Sequence, residues 1–235
     1  TNVPSSDRSF AVLLDGRAIK TPKRQPLHLP TTELAQAIAG EWTAQGEHVA
    51  PQSMPLTKLA NTTIDGILQQ PEAIRADILA FSHQDLICYR ADNPAQLVDR
   101  QAKAWTGFVK WAEQNFKSTI VLATGVMPVQ QSDAFDHGAR TWIAKLDAWA
   151  LGPVHVITTL LGSAIIALAL EDGACTPDEA WHSAHVDEDW QISQWGEDAE
   201  AASRRAFRAE EMKAATHFLD LCRSSAVLEM KHTAE

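Results

Sequence analysis

A chain of 235 residues that is 45% hydrophobic is long enough to bury a sizeable core, in one large domain or two modest ones. Its formal net charge of −10 repels polyphosphate backbones and anionic lipids, so we expect neither a nucleic acid nor a membrane surface as a partner. The three cysteines are widely spaced and form no CxxC pair, which indicates reduced packing residues in a cytosol-like compartment.

The chain begins with a pattern typical of a β-hairpin. Asp15 and Gly16 stand between two apolar runs in FAVLLDGRAIKT, and a type I′ turn requires positive φ at both positions. Gly16 is therefore predicted to be structural, and the stretch from Arg17 to Arg24 to be a solvated loop before a further short strand. Residues 1–65 are expected to form a β-rich N-terminal domain with one or two helices.

The apolar period changes after Pro30. In TTELAQAIAGEWTAQG the residues Leu34, Ile38 and Trp42 recur at helical spacing behind a threonine cap. This segment is predicted to be a helix with Trp42 as a core anchor. The same spacing predicts further helices over residues 55–68, 71–81, 95–116, 132–149, 177–195 and 198–223.

The longest apolar run covers residues 154–170 and contains His155 and three hydroxyl residues. Because it is short and polar for a membrane span, we predict a buried central helix, or a helix fed by a strand. Residues 66–235 are then expected to form a helical C-terminal domain. The predicted fold class is α+β, with a small β-rich N-terminal domain followed by a larger α-helical one.

The stretch HVDEDWQISQWGED concentrates acids and tryptophans near the end of the predicted helix 177–195. Thr176 and Glu179 form a capping box at the start of this helix, and Gly196 can close it. Residues 171–211 contain 12 acids and three arginines, so nearly the whole net charge lies here. A charge run is usually a solvated face, but the interleaved tryptophans favour a docking surface.

A helical projection of this segment puts two apolar spots on opposite sides. Glu188 falls in the middle of the first spot, whereas Val186 and Trp190 make the second. If the first spot faces the core, Glu188 is buried and needs a partner such as His185, Arg204 or Arg205. If the second spot faces the core, the first is exposed and can bind a protein. The first spot, here called the Trp181 stripe, consists of Trp181, Glu188, Ile192 and Trp195.

Signatures of common enzyme classes are missing from the sequence. There is no GxGxxG after a strand, no GxxxxGK[ST], no GxSxG and no HExxH, which weakens the case for nucleotide-binding folds, α/β hydrolases and zincins. The residues His182, His185 and Glu188 are the best metal-binding candidate. On one straight helix, however, they spread over about 9 Å and cannot close around one ion without a further ligand. We therefore predict no catalytic residue, metal or cofactor, and keep a metal-dependent enzyme at these residues as the alternative.

Several motifs together resemble a known family. In chain order they are DGRAIKTP (15–22), EW (41–42), MPLTKLANTTID (54–65), DLICYRAD (85–92), Gln101 with Trp105, and DEDWQISQWGED (187–198). Their order and spacing resemble the ATP synthase assembly chaperones that handle the alpha subunit of the catalytic F-one sector. The resemblance spans nearly the full chain.

This resemblance implies a non-enzymatic role. Members of the family bind the unassembled alpha subunit and keep it from aggregating until the beta subunit takes its place. It also implies a β-rich N-terminal domain joined to a helical C-terminal domain. By the same analogy, the chain is expected to work as a monomer in the cytoplasm of a bacterium or in the mitochondrial matrix of a eukaryote.

The resemblance also implies that an acidic C-terminal helix is functionally important, and the matching segment here is Asp187 to Gly196. Asp187 and Asp189 stand where relatives more often have Glu, and we select Glu188 as the critical acid because it lies at the centre of the stripe. The predicted partner-binding residues are Trp181, Asp187, Glu188, Asp189, Gln191, Ile192 and Trp195, and the predicted structural residues are Gly16, Trp42 and Gly196.

Overall fold

The computed structural model describes residues 9–125 and 130–232, with the side chains of the last helix up to Arg223. This part of the chain forms two compact units. The boundary predicted after residue 65 stays a prediction. Unit 1 draws on Thr1–Pro71, Ala148–Pro153 and Lys213–Glu235, and unit 2 on Glu72–Asp147 and Val154–Met212.

Unit 1 contains the predicted hairpin. Antiparallel pairing joins Leu14 to Arg17, and the two residues between them, Asp15 and Gly16, have φ of 49° and 78°. Both lie in the left-handed region that a type I′ turn requires, so this prediction is confirmed. The four short strands are β1 (Phe10–Ala11), β2 (Leu13–Leu14), β3 (Arg17–Ala18) and β4 (His28–Leu29), with β1 antiparallel to β4 and β2 to β3.

The helices of unit 1 share one hydrophobic core with its strands. Leu34 and Ile38 are fully buried, and Thr31 caps their helix by accepting the Leu34 N–H at 3.1 Å. Trp42, predicted as a core anchor, is half-buried and packs against this core from its margin. The helices are α1 (Thr32–Thr43) and α2 (Pro55–Thr62), with a 3-10 turn at Pro51–Ser53 before α2 and a π-helical turn at Thr63–Ile67 after it.

A carboxylate from α1 caps the neighbouring helix α2. Glu41 accepts the backbone N–H groups of Leu56 and Thr57, both at 2.8 Å, and the Thr57 hydroxyl at 2.6 Å. These groups would otherwise lack partners at the start of α2. The motif pair EW and MPLTKLANTTID is therefore explained by a structural contact.

The loop after the hairpin is more ordered than predicted. The buried Thr21 hydroxyl donates to Asp65 Oδ1 at 2.5 Å, and the Lys23 backbone N–H donates to Asp65 Oδ2 at 3.0 Å. Lys23 Nζ also donates to the Asp65 carbonyl at 2.9 Å. The stretch from Arg17 to Arg24 is mostly exposed, as expected, but it is not all loop: it begins with β3, and Asp65 fixes the buried Thr21 in its second half.

Most of unit 2 is helical, as the sequence predicts. A short parallel strand pair, β5 (Tyr89–Arg90) and β6 (Ala123–Thr124), and a 3-10 turn at Leu86–Cys88 lie among the helices. The helices that follow α2 in the chain are α3 (Pro71–His83), α4 (Ala95–Phe116), α5 (Asp133–Ile143), α6 (Ala148–Leu161), α7 (Ala164–Glu171), α8 (Pro177–Ala184), α9 (Val186–Trp195) and α10 (Ala199–His232).

Two predicted helices are each divided into two. The helix expected over 132–149 is interrupted between Ile143 and Ala148. The apolar run 154–170 is largely buried, as predicted, but it breaks at Gly162, whose φ is 65°. Ser163 then caps α7 by accepting the Ile166 N–H at 3.0 Å. No helix in the described ranges has the length and apolar character needed to cross a membrane.

The predicted helix 177–195 is also two helices, because it breaks at His185 (φ −110°, ψ 17°). The capping box at Thr176 is confirmed, and so is Gly196, which ends α9 with φ of 86°. Trp105 of α4 donates its indole N–H to the Ser183 carbonyl at 2.6 Å. In a continuous helix the Ser183 carbonyl would instead accept the backbone N–H of residue 187. The hydrogen bond from Trp105, which is distant in sequence, therefore accompanies the helix break.

Candidate functional site

Helix α9 presents one tryptophan to the protein interior and another to solvent. Trp190 is 8% exposed, and the Arg100 guanidinium lies 4.9 Å from the centroid of its ring. Trp195, at the end of the helix, is 79% exposed. Of the two orientations left open by the sequence, α9 adopts the one that turns Trp190 inward.

The break at His185 separates Trp181 from the rest of its predicted stripe. Trp181 lies on α8, where its ring packs against the His185 ring at a tilt of 34°, with 3.9 Å between ring centroids. Ile192 is half-buried and lies on α9 with Glu188 and Trp195. The Trp181 stripe of the projection is therefore not one continuous surface, because the projection assumed a straight helix.

The three consecutive acids of α9 have three different environments. Asp187 Oδ1 accepts a hydrogen bond of 2.7 Å from the buried amide of Gln101. Asp189 forms a salt bridge with Arg205, with 2.6 Å between Oδ1 and Nη2. Glu188 has only looser contacts with described residues, at 3.9 Å from Arg205 Nε and 4.0 Å from His185 Nε2. Glu188 and Asp189 are equally exposed, at 37%, so it is the lack of a close partner among the described residues that leaves Glu188 available.

Gln101 explains why Asp187 is fixed. Its amide oxygen accepts the Ala91 N–H at 2.8 Å while its amide nitrogen donates to Asp187. Arg90 donates to the Gln101 carbonyl at 3.2 Å and stacks over the Trp105 ring at 4.9 Å. The motifs DLICYRAD, Gln101 with Trp105, and DEDWQISQWGED therefore meet at the start of α9.

A cleft of about 280 Å³ lies between α9 and the start of α10, and we call it the acidic cleft. The exposed Trp195 and Glu188 both line this cleft, and Arg205 is a positively charged residue of the same lining. This arrangement gives an apolar anchor with charged groups around it. The residues that line the acidic cleft are Glu188, Gln191, Ile192, Trp195, Gly196, Glu197, Asp198, Ala201, Ala202 and Arg205.

The residues of the metal-site alternative do not converge. His182 and His185 each place Nδ1 2.7 Å from a backbone carbonyl four residues earlier, that of Asp178 and of Trp181 respectively. His182 is exposed on α8, whereas His185 is buried at the break between α8 and α9. Over residues 9–125 and 130–232, no group of three or more His, Cys, Asp or Glu side chains is arranged to hold a metal ion.

The buried His185 predicts a specific pH dependence of stability. Burial lowers the pKa of His185 below its ordinary value of 6.5, so protonation favours the unfolded chain. The stability linked to this residue is complete above about pH 6.5 and is lost as the pH falls below it. We expect the unfolding free energy of the wild type to decrease more, on going from about pH 7.5 to about pH 5.5, than that of His185→Gln.

Urea unfolding at several pH values measures this difference. The fully buried Asp85 titrates in the same range, since burial raises its pKa to about 6. A raised carboxyl pKa has the opposite sign, because its stabilising contribution is complete below about pH 3.8 and disappears as the pH rises through about 6. The wild type and His185→Gln both retain Asp85, so the difference between their two stability curves isolates the contribution of His185. Parallel curves would show that His185 carries no such linkage.

Comparison with known proteins gives matches in sequence and in structure. A family model described as ATP12 chaperone protein matches residues 1–113. The mitochondrial protein atp12 of Schizosaccharomyces pombe is 23% identical over 198 residues, which cover 79% of this chain and 68% of that protein. The sequence match thus extends well beyond the segment that the family model covers.

Solved structures show the same similarity over more of the chain. The crystal structure of Atp12 from Paracoccus denitrificans has a TM-score of 0.88 and 38% identity, and the match covers 93% of this chain and 94% of that one. The protein Atu1473 of Agrobacterium tumefaciens has a TM-score of 0.89 and 42% identity, over 94% of this chain and 83% of that one. Both matches include the segments that form the two units.

Proposed function

Because this chain belongs to the ATP12 family of ATP synthase assembly chaperones, we propose that it binds the unassembled alpha subunit of the synthase. It holds that subunit in a soluble form until the beta subunit takes its place. The observation that carries this proposal is the acidic cleft, where Trp195 is exposed beside Glu188, a carboxylate with no close partner in the described part of the chain. The role is one of binding, in the compartment where the synthase is assembled: the bacterial cytoplasm or the mitochondrial matrix.

The chemistry of the acidic cleft suits a transient cap. A subunit surface that will later be covered by another subunit is apolar and prone to aggregate. A large exposed aromatic side chain can bury against such a surface and supply most of the binding energy. Charged groups around it speed the encounter and favour complementary partners, and the complex can still dissociate.

The predicted partner-binding residues divide into two groups under this proposal. Glu188, Gln191, Ile192 and Trp195 line the acidic cleft and contact the alpha subunit directly. The other three act by holding α9 in place, since they are already engaged within the chain. These are Trp181, packed against His185, Asp187, bonded to Gln101, and Asp189, paired with Arg205.

Replacing Glu188 by glutamine tests the proposal with little change in shape. The variant keeps the size and polarity of the side chain and removes its charge. We expect binding of purified alpha subunit to weaken by about 1 to 3 kcal/mol, the loss of one charge-assisted hydrogen bond. The unfolding free energy should change little, because the contacts of Glu188 within the chain are long.

A matched control is Glu47→Gln, which neutralises an exposed acid of unit 1. Isothermal titration calorimetry with the alpha subunit should give the wild-type affinity for this control. If Glu188→Gln also binds with wild-type affinity but unfolds at lower urea, Glu188 is a structural acid and its assignment to the interface is wrong.

A further inference from the structure

A second cleft of about 670 Å³ lies along α4, and we call it the α4 groove. Its other wall is made by α8, the start of α9 and the residues just before α8. The apolar residues that line the groove include Ala104, Gly107, Phe108, Trp111 and Val186, and we call this lining its floor.

The charged side chains that line the α4 groove are divided between its two sides. Arg100 and Lys103 are exposed along its α4 side, and neither has a carboxylate partner among the described residues. Glu179 and Asp189 lie on the opposite wall and both have partners within the chain, but the partners of Glu179 are neutral groups and leave its charge in place. Glu179 accepts hydrogen bonds from the Thr176 N–H at 2.8 Å and hydroxyl at 2.9 Å, and Asp189 pairs with Arg205.

The apolar lining of the groove favours burial of apolar side chains. On its α4 side, Lys103 and Arg100, which lies over the Trp190 ring, favour carboxylates next to them. The complementary ligand is therefore an acidic amphipathic segment, with apolar residues on one face and acids on the adjoining edge. An amphipathic helix in a hydrophobic groove is a common form of such recognition.

We propose that the α4 groove binds an acidic amphipathic segment of the same client that docks on the acidic cleft. This inference rests on the proposed function. Helix α9 connects the two surfaces, because Asp189 lines the α4 groove and the adjacent Glu188 lines the acidic cleft. A client anchored on Trp195 therefore has a second binding surface within reach on the other side of α9.

Gly107 allows the groove to be blocked without disturbing the helix. A Cβ at this position would have no atom within 4 Å, and the backbone has no positive φ. The variant Gly107→Trp should fill the floor of the groove, whereas Gly107→Ala leaves it open. We expect Gly107→Trp to raise the Kd for purified alpha subunit on the order of tenfold relative to Gly107→Ala.

Charge reversal tests the electrostatic part of the inference. The double variant Arg100→Glu/Lys103→Glu should also raise the Kd for the alpha subunit on the order of tenfold. The difference from wild type should shrink at about 0.5 M NaCl, since exposed charges are screened by salt. The control Arg17→Glu/Lys58→Glu makes the same change in net charge on exposed cations of unit 1 and should bind like wild type.

The outcomes distinguish this inference from the proposed function. If Gly107→Trp and the Arg100/Lys103 reversal bind the alpha subunit as well as their controls do, while Glu188→Gln binds more weakly, the α4 groove inference is wrong and the proposed function stands. If the wild-type chain itself does not bind the alpha subunit, both are wrong. Reduced binding by both groove variants, with normal circular dichroism and melting, supports the α4 groove as a client site.

Discussion

Replacing Trp195 by alanine is expected to weaken binding of the alpha subunit by about 2 to 4 kcal/mol, the range of a binding hot spot. The side chain is 79% exposed in the free chain, so its removal takes away little internal packing. We therefore expect the unfolding free energy to change by less than about 0.5 kcal/mol. Calorimetric titration and urea unfolding of the same variant give both quantities.

Phe207→Ala is the matched control for this variant. Phe207 is an exposed aromatic residue of α10, 67% accessible, and it does not line the acidic cleft. The control should bind the alpha subunit with wild-type affinity. If the two variants bind equally well, an exposed tryptophan on α9 is not the anchor and the acidic cleft loses its main support.

Replacing Gly138 by alanine is expected to lower the unfolding free energy by more than about 3 kcal/mol. Gly138 lies in α5 where this helix meets the end of α4. A Cβ at this position would lie 2.0 Å from the Phe116 carbonyl oxygen and 2.7 Å from its Cα. These are backbone atoms, so the overlap can be relieved only by moving one helix away from the other.

Gly40→Ala provides the control for Gly138→Ala. Gly40 lies in α1, and a Cβ there would have no atom within 4 Å. Alanine is the better helix former, so this variant should gain about 0.5 to 1 kcal/mol. Urea unfolding of both variants measures the difference. A Gly138→Ala protein within about 1 kcal/mol of wild type would contradict the close approach of α4 and α5.

Features that depend on neighbouring residues in the sequence could be predicted. The Asp15-Gly16 turn, the capping box at Thr176 and the helix end at Gly196 are all confirmed, because each is set by backbone preferences of a few residues. The family and the α+β class are confirmed as well. For the family, the order of several weak motifs was informative where no single motif was.

The divisions of the long helices were missed for different reasons. The break at Gly162 has a local signal, since glycine followed by a serine cap precedes α7. The break at His185 has no such signal. It accompanies the hydrogen bond from Trp105, which lies 78 residues earlier in the chain. Because the helical projection assumed one straight helix, it wrongly placed Trp181 on the same surface as Trp195.

The environments of the three acids could not be predicted from the segment that contains them. Their partners Gln101 and Arg205 come from α4 and α10, and only the fold brings these helices to α9. The sequence named Arg205 as one of several candidates for Glu188, and the structure pairs it more closely with Asp189. The cations Arg100 and Lys103 were not singled out, although their spacing of three residues on one helix is a signal that could have indicated a shared face.

Light scattering by the purified alpha subunit measures whether this chain prevents its aggregation. The alpha subunit is diluted out of denaturant by itself, with an equimolar amount of this chain, and with the same amount of the Trp195→Ala variant. We expect the wild-type chain to suppress scattering and Trp195→Ala to do so poorly, although the variant is fully folded. An alpha subunit that aggregates equally fast with and without the wild-type chain would contradict the proposed function.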